Sequence, residues 1–390
     1  AQGIDGSGIK IGVISDGANH WTSARDSGDL PEDVTILEDD LPWGGEEGTA
    51  LMEIIYDLAP GAKLYFHDCG TNILEFNQAI DNLAAAGCTI ICDDITWTDE
   101  PFFEDGVIAS HVKDLLSANQ IVFVSSAGNY GLNHYQKMFK WAYKDGSFWH
   151  NFGRGHTRIK NMKIQIPAGG VAWIVLEWNE PFGRAKCNYD LYLLDPVSGE
   201  PLAASEGVQN GDQDPYEFIG VANDGGEPAE VLLAIKASNR QALFKPRILE
   251  AYIYGANAEE EYITPEDSIF GHPAVPEVVS CGAVACDTPD EIEAFSSRGP
   301  STMLHDVRPK PDLCGADRID VSGAGGFYSP FYGTSASAPH AAAVAALLWS
   351  KSPDLSAVEV RYKLLESAVD LGSRGRDNTY GYGRVDALNA

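Results

Sequence analysis

The chain has 390 residues and a formal net charge of −30 at pH 7, with 57 acidic against 27 basic side chains. This charge argues against nucleic acid and anionic membranes as partners, because both repel a strongly acidic protein. A hydrophobic content of 44%, with no apolar run of about 18 residues, predicts an ordered globular protein without a transmembrane helix.

The length allows more than one domain. Seven cysteines are scattered without paired metal-ligand spacing, and their odd number leaves at least one unpaired in a monomer. The first residues do not resemble a signal peptide, and Ala1 would suit the first residue of a processed chain.

The first third of the chain alternates between predicted strands and helices. Residues 8–14 are a short apolar run that predicts a buried strand ending at Ser15 and Asp16. Apolar residues at helical spacing over 49–58 predict a helix that ends at Pro60-Gly61, with Glu47 just before it. Polar groups at the carboxyl ends of such strands are where α/β proteins place their sites.

Two further predicted strands also end in polar residues. The strand at 88–92 is followed by Asp93 and Asp94, and the strand at 120–124 is followed by the segment 125–129. Predicted helices at 70–87 and 105–119 precede these strands. If an aspartate lies close to Glu47, the two carboxyl groups would share a proton, and one pKa would rise.

The alternation stops between residues 133 and 260. Short strands separated by Gly, Pro, Asn and Asp turns predict an antiparallel, jelly-roll-like β-sandwich. We therefore expect three segments: residues 1–132 and 261–390 as two parts of one α/β domain, and 133–260 as a β-sandwich inserted between them. Aromatic residues and acidic turns of the insert are typical of core and solvated loops.

The last third contains a small-residue turn that opens an almost wholly apolar helix. Residues 331–340 read FYGTSASAPH, and Ala, Val and Leu dominate the following residues 341–348. A serine in this turn would lie at the positive end of the helix dipole. Ser356 and Glu359 have the spacing of a capping box that opens a further helix.

The motif GTSASAPHAAAVAAL resembles the nucleophile block of subtilisin-like and sedolisin-like serine peptidases, with Ser335 at the nucleophile position. The segment SSAGN at 125–129 and the segment YGRVDA at 382–387 are similar to further motifs of that superfamily, in the same order. Subtilisins carry His-Gly-Thr where this chain has Glu47-Gly48-Thr49. A glutamate in this position resembles the sedolisins, whose base is a carboxylate.

The resemblance implies a subtilisin-like parallel sheet of about seven strands, with helices on both faces. It implies Ser335 as nucleophile, Glu47 as general base, and Asn129 as oxyanion donor. Ser125, Ser126, Ala127 and Gly128 would line the first specificity pocket, with room for a sizeable side chain. The acidic partner of Glu47 stays open between Asp16 and Asp93 or Asp94, of which Asp94 fits the register better. The best alignment places Ser15 at the family's aspartate, one residue before Asp16.

The same resemblance implies a secreted or extracytoplasmic serine endopeptidase that acts on peptide or protein substrates and is made with an N-terminal propeptide. No cofactor is required, no metal ligands are assigned, and structural calcium is left open. Because the ordinary pKa of a glutamate is roughly 4.3, a Glu47 base predicts activity at acidic pH unless burial raises that pKa.

Two alternatives remain open from the sequence. Loss of the histidine is also typical of an inactive pseudopeptidase or binding scaffold. A histidine outside the usual helix could instead serve as base, and His20 is the nearest in sequence, whereas His340 has a structural role in the family. A rate that rises only above about pH 6.5 would indicate a histidine base.

Overall fold

The computed structural model describes residues 3–153 and 161–390. In the first segment, five strands alternate with four helices: β1 Lys10–Ser15, α1 Trp21–Ser27, β2 Thr35–Glu38, α2 Glu47–Leu58, β3 Lys63–Asp68, α3 Ile73–Ala85, β4 Ile90–Asp93, α4 Val107–Ala118 and β5 Val122–Ser126. The predicted strand–helix order of this part is confirmed. Helix α1 and strand β2 were not predicted, since both are short and largely polar.

Among the described residues of the middle segment, the regular secondary structure is almost entirely strand. Its elements are β6 His134–Met138, β7 Trp141–Lys144, β8 Ser147–His150, β9 Met162–Ile166, β10 Val171–Trp178, β11 Tyr189–Leu194, β12 Pro201–Ser205, β13 Tyr216–Ala222, β14 Ala229–Ala237, α5 Arg240–Phe244, β15 Ile248–Tyr254 and β16 Asn257–Ala258. The last segment contains β17 Val279–Ala285, β18 Ser301–Thr302, β19 Val307–Arg308, β20 Leu313–Asp317, α6 Thr334–Lys351 and α7 Ala357–Glu366.

A seven-stranded sheet joins the first and last segments, in the order β2-β3-β1-β4-β5-β17-β20. Every neighbouring pair in it is parallel. Helices α2 and α6 contribute to the apolar core on one face, and α3 and α4 contribute to the core on the other. The predicted subtilisin-like α/β fold, with helices on both faces of a parallel sheet, is confirmed.

The strands between His134 and Ala258 form two antiparallel sheets, and one of them has the order β13-β10-β15-β6. Apolar side chains from both sheets, such as Ile174 and Leu191, share one buried core. This arrangement is typical of a sandwich. The domain limits at 133 and 260 and the jelly-roll connectivity stay predictions; residues 1, 2 and 154–160, which fall within the predicted domains, lie outside the described residues.

The topology decides where the site lies. Parallel strands present their carboxyl ends at one edge, so the residues after β1, β4 and β5 meet there. Helix α6 packs against this sheet with 14 of its 18 residues buried, which brings its first turn to the same edge. The capping box of Ser356 and Glu359 that opens α7 is present as predicted.

Candidate active site

Ser335 lies in the first turn of α6 and is only 6% exposed. The residue before the helix, Gly333, has φ of 109°, a conformation that side-chain-bearing residues rarely adopt. Its N–H donates to the carboxylate of Asp317, 3.2 Å away, at the end of β20. The turn is thereby held at the sheet edge, with Ser335 at the positive end of the α6 dipole.

Glu47 is the first residue of α2, and its carboxyl group lies next to the side chains of Ser335 and Asp94. The neighbouring Gly48 lets the start of α2 pack against β3 and the turn after β1, since a Cβ there would lie 2.2 Å from a Phe66 ring carbon and 2.7 Å from the Gly17 carbonyl oxygen. The structure thus brings together three side chains that are far apart in the sequence. Burial of the carboxyl group raises the pKa of Glu47 above its ordinary value.

Asp94 lies one residue beyond β4 and faces Glu47. Burial and the neighbouring Glu47 charge raise the pKa of Asp94 well above its ordinary value. Two carboxyl groups this close in a buried site share one proton, because two negative charges side by side would repel each other.

Ser15 is a site residue to which sequence reasoning gave no role. It is fully buried at the end of β1, and its side chain lies against the carboxyl group of Asp94. The signal was present in the sequence, because Ser15 stands at the position of the family's aspartate. In this chain the carboxyl group comes instead from Asp94, the residue after β4.

Asp16 and Asp93 occupy different environments from Asp94. One Asp16 oxygen accepts the backbone N–H of Glu47 at 3.0 Å, so Asp16 caps the start of α2. Burial and, second, the charge of Glu47 raise the pKa of Asp16 to about 6. Asp93 points to the opposite face of the sheet, where its carboxylate lies 2.9 Å from Nε2 of buried His272.

Asn129 follows β5 and is solvent-exposed beside the nucleophile turn. Its side-chain oxygen accepts from the backbone N–H and the hydroxyl of Thr334, at 2.9 and 3.0 Å. A Cβ on Gly333 would lie 3.1 Å from Asn129 Nδ2, so the amide NH₂ is close to the turn. This position suits a donor to an oxyanion formed next to Ser335.

The four residues of the predicted pocket are all buried. The Ser125 hydroxyl lies 3.2 Å from His272 Nε2, on the face away from Glu47. The Gly128 N–H donates to the Thr334 hydroxyl at 3.2 Å, which ties the pocket segment to the nucleophile turn. Ser126 and Ala127 continue the backbone between these points.

The two candidate histidines are engaged elsewhere. Nδ1 of His20 pairs with Glu46, and the His20 side chain is 56% exposed. Nδ1 of His340 lies 2.9 Å from the Ala336 carbonyl oxygen, and burial lowers the pKa of His340. In both histidines, Nδ1 therefore contacts a group other than Ser335.

Among the described residues, one acidic group could hold a metal ion: Glu38, Asp40 and Asp68 place oxygens within 4.8 Å of one another. Oxygen ligands suit calcium. Both Asp68 oxygens, however, already accept backbone N–H groups, from Asp40 at 2.9 Å and Gly70 at 3.0 Å. In the part of the chain that the structure describes, no helix has the length and apolar character needed to cross a membrane.

The model of the subtilase family matches residues 202–383. The serine protease AprX of Bacillus subtilis is 31% identical over 147 residues, which are 32% of this chain and 32% of AprX. The minor extracellular protease Epr of the same organism is 42% identical over 59 residues, or 15% of this chain and 9% of Epr.

A Calcium-dependent protease of Trichormus variabilis is 37% identical over 98 residues, covering 20% of this chain and 15% of that protein. The chain thus spans a third or less of the length of these curated relatives. Among solved structures, the CspB protease of Clostridium perfringens has a TM-score of 0.64 at 14% identity, covering 99% of this chain and 94% of that chain. This structure shows a shared fold, and the subtilase family model covers a little less than half of the chain.

Proposed function

We propose that this chain is a serine endopeptidase of the subtilase type that uses Ser335 as nucleophile and Glu47 as general base. The observation that carries the proposal is the contact of the Ser335 hydroxyl with a carboxyl group that Asp94 also contacts. Subtilase-family matches support a hydrolase that acts on peptide bonds of peptides or proteins.

The proposed reaction begins when Oγ of Ser335 attacks the peptide carbonyl carbon and its proton passes to Glu47. The carbonyl oxygen becomes an oxyanion, which Nδ2 of Asn129 and the backbone N–H of Ser335 stabilise; losing one such donor typically costs about 3 kcal/mol. Glu47 then gives the proton to the departing amine, and an acyl-enzyme on Ser335 remains. Water attacks this ester with Glu47 again as base, which restores the Ser335 hydroxyl.

We place the shared proton on Asp94, which donates it in a hydrogen bond to Glu47, and this placement sets the pH range of the pair. Glu47 must be ionised to accept a proton, so the rate falls when the pH drops below its raised pKa. Asp94 must stay protonated to donate to Glu47, so the rate also falls when Asp94 ionises beside a second carboxylate. We propose activity on the acidic side of neutrality, with an acidic limb above the ordinary glutamate range because burial raises the pKa of Glu47. Asp16 would hold the start of α2.

Three further points belong to the proposal. Two relatives are named as extracellular proteases: the minor extracellular protease Epr of Bacillus subtilis and the extracellular serine protease of Serratia marcescens. These names favour an extracytoplasmic location for this chain. A propeptide is expected from the likeness to subtilases. No step of the proposed mechanism involves a metal ion. Calcium, if bound, would only stabilise the fold.

Replacing Glu47 by Gln tests the proposal, because Gln preserves the shape but cannot accept the proton. We expect peptide hydrolysis and fluorophosphonate labelling of Ser335 to fall by about 10²- to 10⁴-fold across pH 3–8. Undiminished acylation in this variant would refute Glu47 as base. The Ser335→Ala variant is the control, and a wild-type protein no more active than this control would indicate a pseudopeptidase.

A further inference from the structure

His272 is a buried histidine to which the proposed mechanism gives no part. It opens the short helical turn His272–Ala274 that precedes β17 in the chain, and it is buried. Its ring packs near Phe76 of α3 and Phe123 of β5, with ring centroids 5.2 and 6.2 Å away. A ring enclosed by close-packed neighbours in this way is held in one orientation.

Nε2 of His272 reaches the end of β4. It lies 2.9 Å from Oδ2 of Asp93, and the same oxygen accepts the backbone N–H of Ile95 at 3.1 Å. Asp93 and Ile95 flank Asp94, the proposed proton donor to Glu47. The Asp93 carboxylate therefore closes a turn around Asp94, and the imidazole holds that carboxylate in place.

The same nitrogen also reaches the end of β5. Ser125 lies opposite Asp93 in the parallel pair β4–β5, and its hydroxyl is 3.2 Å from Nε2. Ser125 opens the segment that ends at the proposed oxyanion residue Asn129. The aromatic neighbours of His272 belong to the core on the α3 and α4 face, whereas α6 belongs to the core on the other face. His272 thus contacts both strand ends from the face of the sheet away from Ser335.

Ser125, His272 and Asp93 have the composition of a Ser-His-Asp triad, but their geometry excludes that role. A triad uses the two ring nitrogens separately, one for the carboxylate and one for the serine. Here Asp93 and Ser125 both contact Nε2. When Nε2–H donates to the Asp93 carboxylate, that nitrogen has no lone pair with which to accept the Ser125 proton. Both residues are also fully buried, so a substrate cannot reach them.

The Asp93 carboxylate depends on the imidazole. Its other oxygen, Oδ1, is buried and has no hydrogen-bond partner among the described residues. Without His272, the Ile95 N–H would be the remaining donor among the contacts that the structure describes, and a buried carboxylate with so few donors is unfavourable. The turn would rearrange, and Asp94 would move relative to Glu47.

We propose that His272 is a positioning residue for the peptidase reaction: its imidazole, bound to Asp93 and Ser125, holds Asp94 and Asn129 in place around the nucleophile. This inference rests on the proposed peptidase function and adds to it a residue that touches neither the substrate nor the reacting atoms. Because a misplacement of about 1 Å can cost about 100-fold in rate, the effect should appear in kcat.

The test measures kcat and KM for one fluorogenic peptide. His272→Leu removes the donor and should lower kcat at least about 10-fold, with KM changed less than about threefold. His272→Gln places an amide N–H near the position of Nε2 and should stay within about threefold of the wild type. His111→Leu is the matched control, because Nε2 of His111 also lies 2.9 Å from a carboxylate, that of Asp81, but joins α4 to α3. It should leave both constants within about twofold.

A double variant separates positioning from packing. In the Asp93→Asn background no carboxylate is left without its donor, so adding His272→Leu should lower kcat less than about threefold. Equal losses in both backgrounds, or equal losses in His272→Leu and His272→Gln, would indicate a packing role of the ring and refute the proposal. If His272→Leu does not fold, His272→Asn replaces it, since its shorter side chain does not reach Asp93.

A second measurement does not depend on catalysis. Hydrogen exchange of the Ile95 backbone amide should be faster in His272→Leu, and unchanged in His272→Gln and His111→Leu, because Asp93 holds that N–H. Unchanged exchange or full kcat in His272→Leu overturns the positioning role while peptidase activity stands. A wild type that cleaves no peptide or protein contradicts the catalytic proposal instead, and the exchange at Ile95 still tests the hold of His272 on this turn.

Discussion

Replacing Asp94 by Asn tests the proposed role of Asp94 as the protonated donor to Glu47, and it leaves the other carboxylates near Ser335 unchanged. The amide of Asn has an N–H that can donate to Glu47, as protonated Asp94 does, but it cannot ionise. We therefore expect kcat/KM at the acidic optimum to fall by no more than about fivefold, the cost of a weaker hydrogen bond of roughly 1 kcal/mol.

The alkaline side of the profile should change more. In the wild type, ionisation of Asp94 would place two carboxylates in contact in a desolvated site, and the rate should decline. In Asp94→Asn this decline should vanish, and the rate should stay level after Glu47 has ionised. The acidic limb, which belongs to Glu47, should remain.

Asp94→Ala removes the donor altogether. A hydrogen bond to a charged group contributes about 1.5–3 kcal/mol, so its loss predicts a fall of about 10- to 150-fold in kcat/KM. Asp16→Asn is the matched control: Asp16 meets the Glu47 backbone at 3.0 Å rather than its carboxyl group, so the alkaline limb should persist.

The assay is kcat/KM for a fluorogenic peptide from pH 3 to 9, with fluorophosphonate labelling of Ser335 as a check on the acylation step. An Asp94→Asn variant as impaired as Asp94→Ala, or one that keeps the wild-type alkaline limb, would refute the proposed proton location. If the alkaline decline vanished in Asp16→Asn and not in Asp94→Asn, Asp16 would be the partner of Glu47.

Two further predictions concern groups near the site. His20→Asn should change kcat/KM less than about twofold and leave the pH profile in place, because His20 pairs with Glu46; loss of a limb near pH 6.5 would instead indicate a histidine base. Asp317 is fully buried, and burial raises its pKa from 3.8 to about 6. In the unfolded chain Asp317 ionises at the lower value. The contribution of Asp317 to the free energy of unfolding is therefore full below about pH 4 and falls by up to about 3 kcal/mol as pH rises through 6. Urea titrations at pH 4 and pH 7 should show this fall in the wild type and not in Asp317→Asn; an equal change in the free energy of unfolding in both proteins would contradict the raised pKa.

Much of the fold was readable from the sequence, because local patterns decide it. Apolar runs bounded by Gly and Pro placed the strands around residues 10–15 and 90–93, and helical spacing placed the helix around 47–58. The turn before Ser335 was recognisable because it needs small residues, and Gly333 has a φ that favours glycine. Shorter strands such as 141–144 and 147–150 were missed, since mixed polar and aromatic residues there give no clear alternation.

The sequence by itself determined the nucleophile turn, the glutamate in place of histidine, and the order of strands that end in polar residues. Only the tertiary structure decided which aspartate meets Glu47. Residues 93 and 94 are adjacent but point to opposite sides of the sheet, so one pairs with His272 and the other with Glu47. The contact between Glu47 and Ser335 likewise joins the start of α2 to the first turn of α6. Such contacts follow from strand order and packing, which no local pattern encodes.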